Sequence, residues 1–235
     1  MKRIVVLTGA GISAESGIQT FRDGDGLWNQ YRFEDLATPE AWGRNPELVL
    51  EFYNWRRKKV LEAQPNPAHL ALVKLEEIFD VQIITQNVDD LHERAGSNNI
   101  LHLHGEITKA RSTADPDLIY PIKGWQLNMG DKCEKGSQLR PHIVWFGEAV
   151  PLIIPAQKIA SGADVLIIIG TSLVVYPAAS LVVYARPDCP KYYIDPKAFQ
   201  VGGISNLSII NKTAVEGVPD LANWFLANPD TGHLK

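Results

Sequence analysis

Gly9-Ala10-Gly11-Ile12-Ser13-Ala14 directly follows a short apolar run at 4–7 and fits the spacing G-x-G-x-x-A. That turn lets backbone approach a pyrophosphate at a helix N-terminus, and glycine at 9 and 11 removes the side chains that would block it. An ordinary tight strand-to-helix turn would use the same residues. The acidic residue usual about 20 positions later, at the end of the next strand, has no counterpart because no strand pattern follows there. Asp195, after the apolar 192–194, is the candidate acceptor for ribose hydroxyls. Gly170-Thr171-Ser172 is a second small-residue turn, after the apolar 165–169. Two such turns at the carboxyl ends of parallel strands face one crevice.

Three further constellations carry chemistry. His102 and His104 sit two apart on an apparent strand, so their side chains share a face, and an imidazole titrating near 6.5 suits proton removal at neutral pH. Asn87 and Asp89, beside Gln86, offer an amide and a carboxylate; capping a short helix over 88–94 is their alternative use. Tyr53 and Arg56 lie three apart on a helical pattern over 47–61, where phenol and guanidinium together can donate to a carboxylate. A buried tyrosine and a solvated arginine beside Arg57-Lys58-Lys59 is the alternative.

The elements that must position these groups are legible as punctuation. Unalternating apolar runs at 4–7, 81–84, 165–169, 192–194 and 207–210 predict parallel strands covered on both faces. Thr38-Pro39, Asn45-Pro46 and Asn66-Pro67 each place a capping side chain before a proline suited to the first helical position, the last opening a helix over 68–78. Strands alternating with helices predict a doubly wound α/β sheet. Roughly 70 residues separate the first two strands, too many for a simple crossover. A helical insertion there and an irregular excursion over 108–141 together predict a small second domain.

Composition narrows the class. With 235 residues, 45% hydrophobic and 21% charged, the chain is typical of globular proteins, and its net charge of −4 argues against nucleic-acid or membrane binding. Two cysteines, Cys133 and Cys189, cannot form a disulfide framework. The run at 4–7 is too short for a signal peptide or a membrane span, and a cytoplasmic protein is expected.

The extended run Gly9-Ala10-Gly11-Ile12-Ser13-Ala14-Glu15-Ser16-Gly17-Ile18-Gln19-Thr20-Phe21-Arg22 resembles the signature of the sirtuin family of NAD-dependent protein deacylases, with Gln19 where proline is usual. The similarity continues in family order through Thr85-Gln86-Asn87-Val88-Asp89, His104-Gly105-Glu106, Arg140-Pro141-His142-Ile143-Val144-Trp145-Phe146-Gly147-Glu148 and Gly170-Thr171-Ser172-Leu173-Val174-Val175-Tyr176-Pro177. It implies a Rossmann-like large domain of 1–28, 81–105 and 142–235. A small domain of 29–80 and 106–141 would join a helical part to a degenerate zinc-ribbon-like part. It also implies that nicotinamide leaves NAD, that the acyl-lysine carbonyl oxygen attacks the ribose, and that a histidine-activated ribose hydroxyl then attacks the resulting imidate. Free lysine, nicotinamide and O-acyl-ADP-ribose result, with NAD consumed as co-substrate.

Residue by residue, the resemblance assigns His104 as the catalytic base and leaves His102 structural. Asn87 would hold ribose or an ordered water, and Asp89 the nicotinamide carboxamide, with Gln86 beside them. Gly9, Ala10, Gly11, Ile12, Ser13, Ile18, Gly170, Thr171 and Ser172 line the cofactor; Phe21 shields the reactive ribose and Arg22 helps hold the phosphates or the loop. Tyr53 and Arg56 match the pair that recognises succinyl- or malonyl-lysine in the class III branch. Val144, Trp145, Phe146, Gly147 and Glu148, with Leu173, Val174 and Val175, match two edges between which an acyl-lysine peptide lies as an added strand.

One part of the pattern is missing. Most sirtuins carry two Cys-x-x-Cys pairs in the second excursion, and here that interval contains Cys133 alone. No zinc is therefore expected, and Ile119, Tyr120, Ile122, Trp125, Leu127 and Met129 are expected to form an apolar mini-core in its place. The expected protein is a monomeric deacylase acting on acylated lysines of proteins, with no nucleic-acid or membrane partner. A mono-ADP-ribosyltransferase or NAD hydrolase, and a catalytically silent NAD or acyl-peptide binding module, are the alternatives.

Overall fold

The computed structural model describes residues 1–20 and 32–230. The five predicted runs form β1 (Arg3–Thr8), β2 (Asp80–Thr85), β7 (Val165–Ile169), β8 (Lys191–Ile194) and β9 (Leu207–Ile210). With β3 (Ile100–His102) they make one parallel sheet ordered β3-β2-β1-β7-β8-β9. The pleat sends Ile4 and Val6 to one face, against Leu72 and Leu75 of the helix Pro67–Leu75 and Val218, Leu221 and Phe225 of the helix Ala214–Ala227. Val5 and Leu7 point the other way, onto Ala156 and Ala160 of the helix Ile153–Ser161 and onto Leu181 and Val182. Covering both faces explains why these strands read as continuous apolar runs, each fully buried aliphatic contributing about 1.5–3 kcal/mol.

The three Asx/Thr-Pro signals all cap helices. Thr38 Oγ1 accepts the Ala41 N–H, Asn45 Oδ1 the Leu48 N–H and Asn66 Oδ1 the Ala68 N–H, each at 3.0 Å. His69 Nδ1 returns the favour to the Asn66 N–H at 3.3 Å, completing a capping box. Such a cap is worth about 1 kcal/mol.

The strand order reverses between β1 and β7, so the crevice at this switch point opens at Gly9 and Gly170, where sequence spacing had put the two turns. The glycine-rich run does not open a long helix: it forms two 3-10 turns, Ala10–Ile12 and Ala14–Ser16. A helix macrodipole is thus a minor part of this corner.

The two excursions meet, with two differences from the sequence reading. The helix Pro46–Glu62 packs Val49, Phe52, Tyr53 and Val60 against Ile107, Ile143 and Trp145. The helix Pro67–Leu75, expected within 29–80, packs instead in the parallel-sheet core, because its Ala68, Leu72 and Leu75 face β1 and β2. The stretch over 108–141 is also more ordered than its composition indicates. It contributes to an antiparallel sheet ordered β5-β4-β6, from β4 (Gly105–Ser112), β5 (Ile119–Pro121) and β6 (Leu139–Ile143).

The expected mini-core is not what holds this sheet. Ile119, Trp125 and Met129 are exposed, and of that set Leu127 alone is buried, with Ile122 packed beside it against Leu50 and Ala110. Polar anchors replace it. Arg57, fully buried, donates to the carbonyls of Ile107 and Trp125 and to Asn54 Oδ1. Asn54 in turn exchanges hydrogen bonds with the Leu127 backbone at 2.9 and 3.0 Å. A charged donor tying two loop carbonyls to a helix does the work of holding the excursion that apolar area does elsewhere.

Candidate active site

The crevice is built from three chain ends. Gly11 N–H donates to the Gly170 carbonyl at 2.8 Å and Gly9 N–H to the Ile169 carbonyl at 2.9 Å, so the two small-residue turns are stitched to each other. A Cβ on Gly9 would sit 2.6 Å from the Gly170 carbonyl oxygen, and one on Gly11 2.6 Å from the Gly170 Cα. Gly170 itself has φ +59, the left-handed region that favours glycine. The glycines are therefore required first by the turns' contact with each other. Ile12 and Ser13 N–H groups are also spent inside the turn, on Gly9 and Ala10 carbonyls. Among the described residues of that run, the N–H groups of Ala10 and Ala14 make no backbone hydrogen bond.

The third chain end follows β2, and every backbone group of Asn87 is fixed. Its N–H donates to Thr85 Oγ1 at 3.0 Å, and its side-chain Nδ2 donates to the Gly9 carbonyl at 3.1 Å and to Ser13 Oγ at 3.2 Å. Both amide protons being used, the Oδ1 acceptor is what the side chain has left to offer. Asn87 does not cap the following helix, which spans Leu91–Ala95; the Leu91 N–H goes to Asp89 Oδ1 at 3.2 Å. Asp89 is buried, and burial pushes its carboxyl up against the opposing hydrogen bonds from Leu91 and Ser13. Gln86 Nε2 reaches Thr171 Oγ1 at 3.1 Å, and Tyr193 Oη donates to the Thr171 carbonyl at 2.8 Å, bracing the two rims.

The two histidines do not share one environment. They take neighbouring carbonyls of the same loop: His104 Nδ1 lies 3.0 Å from the Gln86 oxygen, His102 Nδ1 3.2 Å from the Asn87 oxygen. A carbonyl only accepts, so His104 carries its proton on Nδ1 and presents Nε2 as a base. Burial pushes the His104 imidazole down, the Gln86 carbonyl opposing, which keeps it neutral at pH 7. His102 Nε2 instead meets Glu93 Oε1 at 2.6 Å. Glu93 was invisible to sequence reasoning, since nothing in Leu91-His92-Glu93-Arg94 pairs it with a residue nine positions on.

An aromatic cluster packs beneath the small sheet. Tyr53 and Trp145 are both 2% exposed, and Trp145 Nε1 donates to Tyr53 Oη at 3.1 Å, so the phenol's own proton remains a donor. Arg56 is buried too, its guanidinium carbon 6.0 Å from the Tyr53 ring centroid. It is not the solvated arginine of the alternative reading. Burial pushes Arg56 down, opposed by Tyr53 and Asp89, while burial pushes the Tyr53 phenol up, so the pair offers a cation and a neutral donor.

Several assigned residues fall elsewhere. Ile12 is in the sheet core and can offer only backbone, and Ile18 packs beside Tyr53 and Trp145. Residues 144–148 and 173–175 are loop segments outside regular strands. Within them Trp145 is core, and Glu148 is bound by Arg140 at 2.6 Å, Arg111 at 3.2 Å and the Trp145 N–H at 2.8 Å. Glu148 is thus a brace for this corner, its carboxyl held low by Arg140 despite burial. Val144 donates its N–H to the His104 carbonyl at 2.9 Å, while Phe146, Gly147 and Val174 are exposed. Leu173 is half-buried with φ 54, and Val175 is half-buried. Asp195 sits at the end of β8 and accepts the Lys197 N–H at 2.8 Å; Ser172 is exposed beyond Thr171. Phe21 and Arg22 lie outside the described residues. Among the described residues no group of three or more His, Cys, Asp or Glu side chains is placed to hold a metal ion.

A doubly wound parallel sheet with paired glycine turns, a clamped amide and a neutral histidine at its switch point defines a nucleotide-binding α/β protein of Rossmann-like type. The chain belongs to the Sir2 family, whose model matches residues 9–177. It is 56% identical over 223 residues to an NAD-dependent protein deacylase of Helicobacter pylori, covering 94% of this chain and 96% of the relative. It is 52% identical over 234 residues to one of Bacteroides thetaiotaomicron, covering 97% and 100%. Among solved structures, a mutant Sir2 homologue with ADP-ribose superposes with a TM-score of 0.90 at 42% identity, covering 100% of this chain and 95% of that one. A Sir2 homologue in complex with NAD gives 0.87 at 44% identity, covering 96% and 90%.

Proposed function

We propose that this chain is an NAD-dependent protein lysine deacylase that removes acetyl and also succinyl or malonyl groups, releasing nicotinamide and O-acyl-ADP-ribose. The observation that carries the reading is His104: its Nδ1 is committed to the Gln86 carbonyl, burial keeps it neutral, and Nε2 is left to take a proton beside Asn87. Relatives above 50% identity carry the name NAD-dependent protein deacylase, and the crevice residues suit the dinucleotide. The stitched Gly9, Gly11 and Gly170 keep side chains out of its path, and Ala10 N–H, Asn87 Oδ1 and the Asp89 carboxyl supply a donor and two acceptors.

When bound, NAD supplies an ADP-ribosyl electrophile with nicotinamide as leaving group. Asn87 Oδ1 accepts from a ribose hydroxyl or an ordered water, Asp89 accepts from the carboxamide, and Asp195 from the distal ribose. His104 Nε2 removes the ribose hydroxyl proton. The loop rims at 144–147 and 172–174, exposed at Phe146, Gly147, Ser172 and Val174, receive the acyl-lysine peptide mainly by backbone, which tolerates varied sequences. At the buried end of the aromatic cluster, Tyr53 donates its O–H and Arg56 its charge to the distal carboxylate of a succinyl or malonyl group. We further infer that the protein works in the cytoplasm as a monomer without structural zinc, on acylated protein lysines rather than nucleic acid or membrane. The net charge of −4 and the polar anchoring by Arg57 support this.

Turnover of matched acetyl- and succinyl-lysine peptides by Arg56→Met tests the assignment. Succinyl turnover is expected to fall about a hundredfold or more, with acetyl turnover changed by less than about threefold. Equal loss of both would contradict the acyl pocket, and no NAD-dependent turnover in the parent protein would contradict the activity.

A further inference from the structure

His102 is held between two groups that only accept. Nδ1 faces the Asn87 carbonyl at 3.2 Å and Nε2 faces a Glu93 carboxylate oxygen at 2.6 Å, with the imidazole side chain 8% exposed. A neutral imidazole has one N–H and can satisfy one of them; satisfying both takes the imidazolium. His104, two residues on, makes the same kind of bond to the adjacent carbonyl but among the described residues has no such carboxylate on Nε2.

The charged and titratable groups facing His102 come from three elements: Glu93 and the buried, neutral His92 on the helix Leu91–Ala95, Glu106 on β4, and Asp89 on the loop. Lys109 acts on it indirectly, through Glu93. Burial disfavours the His102 charge, but the Glu93 hydrogen bond and charge, Glu106 and the Asn87 carbonyl together outweigh it and raise its pKa.

The carbonyl it grips belongs to Asn87, whose N–H and side chain are fixed on the opposite side by Thr85, Gly9 and Ser13. His102 therefore closes the set of contacts that aims the Asn87 amide and, two residues later, Asp89.

We propose that His102 is a positioning residue: as an imidazolium bridging Glu93 and the Asn87 carbonyl, it holds the segment 87–89 in the attitude that engages the ribose and nicotinamide end of NAD. Loss of its proton frees that segment and weakens NAD and ADP-ribose binding, which sets an alkaline limit distinct from the acidic limit set by protonation of His104. This rests on the reading of the crevice as an NAD site.

The test pairs histidine-ring NMR titration of the nucleotide-free protein with calorimetric titration of NAD and ADP-ribose from pH 6 to 9.5. The parent, Glu93→Gln and His102→Gln are compared. Glu93→Gln keeps the ring but removes the counter-charge, so the His102 midpoint is expected to fall by about one pH unit or more. The alkaline loss of affinity, roughly tenfold, should move by the same interval. His102→Gln should bind weakly at every pH, with that limb gone. A His102 already neutral at pH 7, or an alkaline limb indifferent to Glu93→Gln while the midpoint moves, would overturn the inference and leave the function intact. No binding of NAD or ADP-ribose by the parent at any pH would overturn the dinucleotide reading and this inference with it.

Discussion

The rim of the parallel sheet and the small antiparallel sheet solve the same problem, holding irregular backbone still, by opposite means. At the rim, order comes from closeness: Gly9, Gly11 and Gly170 press backbone on backbone, and Asn87 is tied through its main chain and amide. In the small sheet, order comes from reach, since one buried guanidinium spans from the helix Pro46–Glu62 to the carbonyls of Ile107 and Trp125. Closeness tolerates no added atom; reach tolerates neighbours changing but not loss of the reaching group.

The largest effect should therefore come from adding one carbon at the rim. Gly170→Ala puts a Cβ against the Gly11 and Ile12 backbone at a position of positive φ, and should cost on the order of 3–5 kcal/mol and abolish NAD binding. Thermal unfolding with and without NAD reads both. Unchanged affinity would mean that the two turns move independently.

Arg57→Met should come next, at about 3 kcal/mol, because the buried Ile107 carbonyl and the part-buried Trp125 carbonyl lose their donor and Asn54 Oδ1 loses one of its two. Hydrogen exchange should localise the opening to residues 122–130 and leave residues 9–13 protected. Spread of the opening to the rim would erase the distinction between the regions. Adding a chelator to a thermal melt of the parent protein should shift nothing if the guanidinium and not a structural zinc is the anchor; a metal-dependent melt would contradict that.

The rim also has an acid weakness, one the small sheet shares at His142, where burial likewise pushes the imidazole down. Burial, aided by Arg94, pushes His69 down to about 4, and burial pushes His92 well below its ordinary value. Both are neutral when folded, so the unfolded chain takes up more protons between pH 6.5 and 4. The contribution of these two groups to stability is complete above about 6.5 and is lost as pH falls, by about 3 kcal/mol for His69 alone. Melting temperature against pH should show this slope, reduced in His69→Gln; a slope unaltered by that change would assign the acid loss elsewhere. The smallest effect is Tyr53→Phe, which strips the acceptor from Trp145 Nε1 and should cost about 1–2 kcal/mol in the melt.

What was legible in the sequence follows the same divide. Apolar runs and Asx-Pro caps are local signals, and they placed five of the six parallel strands and three helix starts. The glycine motifs located the switch-point crevice because a backbone contact leaves a mark in residue type at both partners. Reach leaves none. Arg57 reads as one of four basic residues in Arg56-Arg57-Lys58-Lys59, and its carbonyl partners carry no sequence signature. Glu93 escaped for the same reason, and with it the difference between His102 and His104. Trp145 and Glu148 were placed on a peptide edge, whereas burial and two arginines make one core and the other a brace.

The account stands or falls on what His104 does beside Asn87. Mass spectrometry of products formed from NAD and acetyl- or succinyl-lysine peptide, for the parent and His104→Ala, tests it most directly. The account predicts nicotinamide and O-acyl-ADP-ribose in equal amounts, with the acylated product lost in His104→Ala. Free ADP-ribose or an ADP-ribosylated peptide without acyl transfer would contradict it.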